Sequence, residues 1–362
     1  MQSHGLLRIN TRITRKQNGG ITMVKAVKLA DIAEKVGVSV VTVSKALSGQ
    51  KGVSEEMRAR IKELADEMGY TPIHAVQTGR TRSYTIGVIT FETYFARFAS
   101  FYWKMYQELA TRAVKKSCFS MLEVISSYDE HNLVPPKLIT EKQKVDGIII
   151  IGRPRSDYLK MLYQNKKIPM VFMDFYDDEG VFDCIVSASF NGMHRMTDYL
   201  IKNGHTRIAF VGSLMFTESI TDRYFGYCKA LMENGIEQRQ DWIIKDRDYN
   251  DGVIGLEYKL QLPKDMPTAF VCNNDVTAYA LIKQLEERNY RVPEDISVVG
   301  YDDYLYAEYG DSKITTYMVD MGEMSRIALS CIIKRIENIS VNVGVHIVNG
   351  RIIERSTVKK IN

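Results

Sequence analysis

Two sets of residues in this chain have the types and spacing for recognition chemistry. The first lies within KLADIAEKVGVSVVTVSKALSGQKGVSEEMRARIKELADEMGY, residues 28–70. Val41, Lys45 and Ser48 recur at i, i+4, i+7 on the face opposite Val43 and Leu47. Valine suits thymine methyls, lysine suits guanine edges or phosphate, and Thr42 and Ser44 suit phosphate oxygens. Ser39 and Val40 begin the same helix, so Ser39, Val40, Val41, Thr42, Ser44, Lys45 and Ser48 are the candidate DNA contacts. Arg80 and Arg82, further on, suit phosphate or a narrow minor groove.

The second set stands near the ends of predicted strands: Asp174 ends FMD, Arg223 opens RYFGY, Asn274 follows TAFVC and Asp302 follows ISVVG. Carboxylates and amides accept or share hydroxyl protons, and guanidinium offers a rigid donor fork, so the set suits a polyhydroxyl ligand. Phe91, Tyr94 and Phe95, and the run Phe101–Trp103, could stack on the apolar face of a sugar. The same aromatic density also reads as helix-packing core. Asp275 reads as the cap of the following helix.

Catalysis has no comparable support. GxSxG, GxxxxGK[ST], HExxH and a GxGxxG after a strand are all missing, so no enzyme and no cofactor are expected. His194 and His205 lack a spaced His or Cys partner, and no metal site is read.

The elements that must position these residues fall into two textures. Leu29, Ile32, Ala33 and Val36 give one apolar helical face. Gly37 supplies a turn, Ser39 caps a second helix, and Ser54 caps a third carrying Met57, Ile61, Leu64 and Met68 inward. Two short helices with a third across them form a helix-turn-helix head, all-α. From residue 86 strands alternate with helices. Strands are expected at 85–90, 118–125, 145–151, 168–174, 184–189, 207–212, 242–245, 268–272, 296–300 and 345–348. Helices are expected at 98–116, 138–143, 156–165, 192–203, 219–234, 275–288 and 323–338. Continuous Val/Ile runs between helices indicate parallel strands covered on both faces. The body is therefore α/β, with two doubly wound parallel-sheet lobes and ligand sites beyond the carboxyl ends of the strands.

Composition agrees. The 362 residues are 45% hydrophobic and 25% charged, with net charge +4. Residues 1–22 hold Arg8, Arg12, Arg15 and Lys16 and no acid; 23–85 are net +3 and the remainder net −3. A basic front suits phosphate. Five dispersed cysteines without a CxxC pair point to reduced thiols and the cytoplasm, and neither a signal peptide nor a membrane span is read. Residues 1–22 are expected to be a disordered leader ahead of a start at Met23, or else a basic arm touching DNA. The head is placed at 23–70 and a linker at 71–85.

The stretch LADIAEKVGVSVVTVSKALSG, followed by VSEEMRARIKELADEMGYTP, closely resembles the DNA-binding head of the lactose/galactose repressor family. The body resembles the family too, through NGHTRIAFVGS, DRYFGYCKALMENGI, PTAFVCNNDVTAYALIKQLEERNYRVPEDISVVGYDDY, ITTY and ERSTV in order. The resemblance implies a cytoplasmic homodimeric transcription regulator, a repressor in most readings, that binds a pseudo-palindromic operator. It also implies a type I periplasmic-binding-protein body with a small carbohydrate effector between the lobes. The alternative is a sugar-binding protein of the same body fold with no regulatory DNA role. The resemblance puts Asp174, Arg223, Asn274 and Asp302 at effector-contacting positions. It also implies three chain crossings between the lobes, placed near Val186, Ile314 and Val343. The first lobe would then be 86–186 with 315–343, and the second 187–314 with 344–362. In that family the linker forms a hinge helix whose leucine wedges into the minor groove. Here that position reads Gly79 and the linker is one residue short, so little operator kinking is expected.

Overall fold

The structure, a computed structural model, describes residues 29–47, 50–68, 70, 83–95, 100–141, 144–164, 168–248, 254–305, 309 and 313–361. The expectations for the leader, Ser48, Gly79, Arg80 and Arg82 lie outside the described residues. The chain forms two compact units, 1–80 and 81–362.

In the first unit, α1 (Leu29–Val36), α2 (Val40–Leu47) and α3 (Glu55–Glu67) close on Ile32, Ala33, Val43, Ala46, Ile61 and Ala65, all buried. Gly37 has φ +77°, the left-handed turn that L side chains resist, between α1 and α2. Ser39 Oγ accepts from Thr42 N at 3.1 Å and Ser54 Oγ from Met57 N at 3.4 Å. Such serine N-caps contribute about 1 kcal/mol each.

The second unit contains two six-stranded sheets. The first comprises β1 (Thr85–Phe91), β2 (Phe119–Ile125), β3 (Gly147–Ile151), β4 (Met170–Met173), β5 (Asp183–Ser187) and β11 (Val345–Val348). Its order is β11-β5-β4-β3-β1-β2, all parallel. The second comprises β6 (Ile208–Val211), β7 (Ile243–Ile244), β8 (Ala269–Cys272), β9 (Ser297–Asp302), β10 (Thr315–Met318) and β12 (Arg351–Ile353). Its order is β12-β10-β9-β8-β6-β7, parallel except for the β10–β12 pair. Every residue of β3, β4, β5, β6 and β8 is buried, as strands covered on both faces require.

Helices α4 (Glu92–Phe95), α5 (Phe101–Lys115), α6 (Ser127–His131), α7 (Lys137–Thr140), α8 (Ser156–Tyr163) and α12 (Met321–Ile336) serve the first lobe. Helices α9 (Ser189–Lys202), α10 (Glu218–Glu233) and α11 (Asp275–Glu286) serve the second. Ser100, accepting from Trp103 N at 3.1 Å, starts α5 three residues later than 98.

Two crossings differ from the sequence reading. The second falls after β10, because Thr315–Met318 pairs in parallel with β9 inside the second sheet, so residues 315–318 leave the first lobe. The third falls at Asn349-Gly350, because Val345–Val348 pairs with β5 in the first sheet, so residues 344–348 leave the second lobe. Asn-Gly between two short strands reads as a hairpin turn. Here the strands it joins belong to different sheets. Gly350 N donates to Tyr317 Oη at 2.9 Å, and a Cβ on Gly350 would sit 1.9 Å from the Met318 carbonyl oxygen. Only glycine allows the third crossing to pass this close to β10.

Candidate nucleic-acid interface and effector cleft

On α2, Val43 and Ala46 are buried while Ser39, Val40, Val41, Ser44 and Lys45 are exposed and Thr42 is half-buried. Val41 is 63% exposed and its neighbour Val40 45%. The Thr42 hydroxyl lies 2.9 Å from Ser39 Oγ, so both also serve the cap. Arg58 of α3 donates to the carbonyls of Lys45 (3.3 Å), Ala46 (3.0 Å) and Gln50 (2.8 Å), closing the carboxyl end of α2. The apolar stripe of α3 says nothing of this cap, and sequence reasoning missed Arg58.

In the body, the carboxyl ends of both sheets face a cavity of about 290 Å³. The first lobe contributes Tyr94, Phe101, Tyr102 and Asp174; the second contributes Phe216, Arg223, Arg247, Asn274, Asp302 and Tyr304. The predicted residues Asp174, Arg223, Asn274 and Asp302 thus border one space. Asp174 and Asp302 hold φ of +68° and +97°, and Asp303 +54°. Carboxylate residues in left-handed backbone at strand ends are the kind of strain that collects at functional sites.

Arg223 is buried, with Nη2 3.0 Å from Asp302 Oδ1 and Nη1 donating to the Asn273 carbonyl at 2.6 Å. Its guanidinium lies 3.9 Å from the centre of the Tyr301 ring. It sits in the second turn of α10, which begins at Glu218 behind the cap Thr217, and so does not open that helix. Burial raises the Asp302 carboxyl, and Arg223 opposes the rise. Burial pushes Asp174 up to about 6, against the pull of Arg223 and of the Tyr102 hydroxyl, which donates to Asp174 Oδ2 at 2.9 Å.

Asn274, rather than Asp275, caps α11: its Oδ1 accepts from Thr277 N at 2.8 Å. An extended Asn274 places its side chain over the first turn, while Asp275 turns inward and accepts from Tyr304 N at 2.9 Å. Phe91 is 1% exposed and packs edge-on against Tyr158, so its ring belongs to the first-lobe core, although it also borders a second cavity of about 760 Å³. The Phe95 side chain lies outside the described residues. Tyr94 and Tyr102 form the aromatic pair instead, with ring centres 4.5 Å apart.

Sequence reasoning missed Arg247, Asn273, Phe216 and Tyr304. Arg247 grips Asp246 at 3.0 and 2.7 Å and lies 4.8 Å from the Phe216 ring centre. Burial works to raise Asp246, but Arg247, Asn273 and Ser213 together hold it down at about 2. Asn273 directly follows β8, whereas Tyr304, Arg247 and Phe216 lie two, three and five residues beyond β9, β7 and β6, in loops that a strand-end rule does not reach. The second cavity shares Tyr94, Tyr102, Asp174 and Phe216 with the first. Across it, Arg153 of the first lobe pairs with Glu218 of the second, and the Tyr176 hydroxyl donates to Asp222 Oδ2 at 2.9 Å. Among the described residues no helix is long and apolar enough to cross a membrane.

Comparison with known proteins agrees with both parts. Residues 28–72 match the family described as "Bacterial regulatory proteins, lacI family", and residues 197–358 match a periplasmic binding protein-like domain. The HTH-type transcriptional repressor PurR of Vibrio vulnificus is 28% identical over 338 residues, 92% of this chain and 99% of that protein. PurR of Aliivibrio salmonicida is 29% identical over 86% of this chain and 92% of its own. Among solved structures, a transcriptional regulator CelR–cellobiose complex superposes with TM-score 0.64 at 22% identity, covering 91% of this chain and 99% of that one. A lac repressor dimer bound to operator and the anti-inducer ONPF gives TM-score 0.59 at 23% identity, covering 92% and 100%. The chain thus carries a lacI-family DNA-binding head over residues 28–72 and a periplasmic-binding-protein-like domain over residues 197–358, the make-up of a DNA-binding transcriptional regulator with a ligand-binding domain.

Proposed function

We propose that the protein is a cytoplasmic repressor that binds a pseudo-palindromic operator as a homodimer, and that a sugar or sugar derivative between the lobes controls its operator affinity. Ser39, Val40, Val41, Thr42, Ser44 and Lys45 present the reading face of α2 to the major groove, with Ser48, Arg80 and Arg82 as further contacts. Specificity at the bases falls to Val40, Val41 and Lys45, while the hydroxyls serve phosphate.

The observation that carries the effector reading is the meeting of Arg223, Asp302 and Asp174 beside the Tyr94–Tyr102 pair. Two carboxylates and a fixed guanidinium offer acceptors and donors to a ring of hydroxyls, and the tyrosine rings offer an apolar face. Asn274 spends one lone pair of Oδ1 on its cap and one N–H on Asn273 Oδ1 at 3.0 Å, which leaves a second N–H and a second lone pair for a ligand. The related fold in complex with cellobiose fits the same choice. An effector that binds one lobe arrangement better than another shifts their populations by that difference and no more.

A thermal-shift screen of sugars and sugar derivatives on the full chain tests the reading. A ligand at 100 times its Kd adds about 2.7 kcal/mol to stability. The reading expects a sugar to raise the melting temperature and to change operator affinity in the same concentration range. A response confined to non-carbohydrate ligands would overturn it.

A further inference from the structure

Three side chains far apart in the chain meet at the β11 edge of the first sheet. Asp183 begins β5, His346 lies on β11, and Cys331 lies on α12. A carboxylate oxygen, an imidazole nitrogen and a sulfur from these residues all lie within 4.8 Å of one another. Cys331 Sγ is 3.5 Å from His346 Nε2, and that nitrogen is 3.9 Å from Asp183 Oδ1. Asp183 and Cys331 are buried, whereas the His346 side chain is 42% exposed.

We propose that Asp183, Cys331 and His346 bind a borderline-soft divalent cation of the zinc class. With metal bonds of about 2.3 Å to sulfur and about 2.05 Å to nitrogen, a tetrahedral site sets the two donors about 3.6 Å apart. The sulfur and nitrogen already stand at that separation. Imidazole and carboxylate donors belong about 3.3 Å apart, so His346 must approach Asp183 by about half an ångström. A partly exposed ring on an edge strand has that freedom. Water from the exposed side completes the fourth position, the pattern of a three-ligand site.

The carboxylate is held for this task. Arg335 Nε donates to Asp183 Oδ2 at 2.8 Å and Gly344 N to Oδ1 at 3.1 Å, which leaves Oδ1 a second lone pair toward His346. Outer partners of this kind orient the ligands of known metal sites. A thiolate and a carboxylate balance the charge of a dication, the thiol proton leaving as the metal binds. A Cys–His hydrogen bond and an Asp–Arg pair each stand without a metal, but neither requires the third residue to converge. Among the described residues no other group of three such donors converges in this way. No short motif announces the site, because its donors come from β5, α12 and β11. A bound cation ties together elements that flank the second and third crossings.

Titrating the metal-free full-length protein with Co²⁺ tests the proposal. The expected result is about one equivalent bound, with thiolate-to-cobalt charge transfer and tetrahedral d–d bands that Zn²⁺ abolishes by displacement. Cys331→Ser should lose the charge-transfer band, His346→Ala should weaken Co²⁺ at least about tenfold, and Cys228→Ser should keep both. Because His346 is partly exposed, its variant should fold, and circular dichroism checks this independently. Absence of a charge-transfer band, or a band undiminished in the folded His346→Ala and Cys331→Ser proteins, overturns the site.

Discussion

Arg223 and Asp302 form a 3.0 Å ion pair at the back of the cleft, with both side chains almost wholly withdrawn from solvent. Each is therefore the other's counter-charge before any effector arrives. This changes what truncation does. Removing one member of a buried pair leaves an uncompensated charge and typically costs about 3–5 kcal/mol.

Asp302→Ala and Arg223→Ala should each destabilise the body by that amount and abolish the operator's response to effector. The doubly substituted Arg223→Met, Asp302→Asn protein, uncharged and with a residue that tolerates the +97° φ, should recover much of the stability but none of the response. Urea denaturation beside operator titration with and without sugar separates the two effects. Single variants of unchanged stability would show that the pair is not buried as described.

The second prediction concerns pH. Burial holds Asp174 up to about 6, against about 3.9 in an unfolded chain. Between those values the folded protein binds a proton that the unfolded chain has released, so stability falls as pH rises through this window. The full penalty, about 2–3 kcal/mol, applies above pH 6. Asp174→Asn should therefore be more stable than the parent at pH 8 and equal to it below about pH 4. Urea midpoints at the two pH values check this; a gap of the same size at both would remove Asp174 as its source.

How far these residues were legible in the sequence follows from the signal each carries. Parallel strands made of unbroken Ile/Val runs, such as β3, declare themselves, and a residue at the carboxyl end of a strand, such as Asp302 closing β9, is found by the strand-end rule. Asp275 read as the cap because both Asn and Asp cap helices well, and only the inward turn of Asp275 decides for Asn274. The crossings were misplaced because β10, β11 and β12 are three or four residues long and nothing local says which sheet they join. Phe91 looked available because it follows a strand, but its burial depends on Tyr158 from another element.

The third prediction tests the crossing at Gly350. A methyl there meets the Met318 carbonyl, so the chain must shift. Gly350→Ala should lose about 1–3 kcal/mol, the usual range for overpacking, and should weaken the effector response by moving β12 against β10. A fully stable variant would mean that the crossing yields easily.

The fourth concerns base reading. Val41 is the most exposed apolar residue of α2, and the face it occupies is free of core contacts. Val41→Gln should change preference at one base pair in each half-site by about 1–3 kcal/mol. Selection from random DNA checks this, and an unchanged consensus would remove Val41 from the reading face.

The last prediction concerns closure of the cleft. Tyr176 of the first lobe makes two bonds to the second: its hydroxyl donates to Asp222 Oδ2 at 2.9 Å and its N–H to Glu218 Oε2 at 3.0 Å. Arg153 adds the cross-lobe pair to Glu218. These bonds favour the arrangement in which Asp174 and Asp302 border one cavity. Tyr176→Phe removes one hydrogen bond to a charged acceptor, worth about 1.5–3 kcal/mol, while keeping the ring and the backbone bond. If the effector binds the closed arrangement, its apparent affinity falls with the closed fraction. The expected loss is about ten- to a hundredfold at about 1.4 kcal/mol per decade when closure is marginal. Operator affinity without effector should stay within about twofold, since ordinary surface changes stay within about 0.5 kcal/mol. Calorimetry with the sugar identified by screening, paired with operator titration, reads both numbers. Equal effector affinity in the parent and Tyr176→Phe would mean that closure contributes nothing to binding, and that the signal enters without the lobes moving.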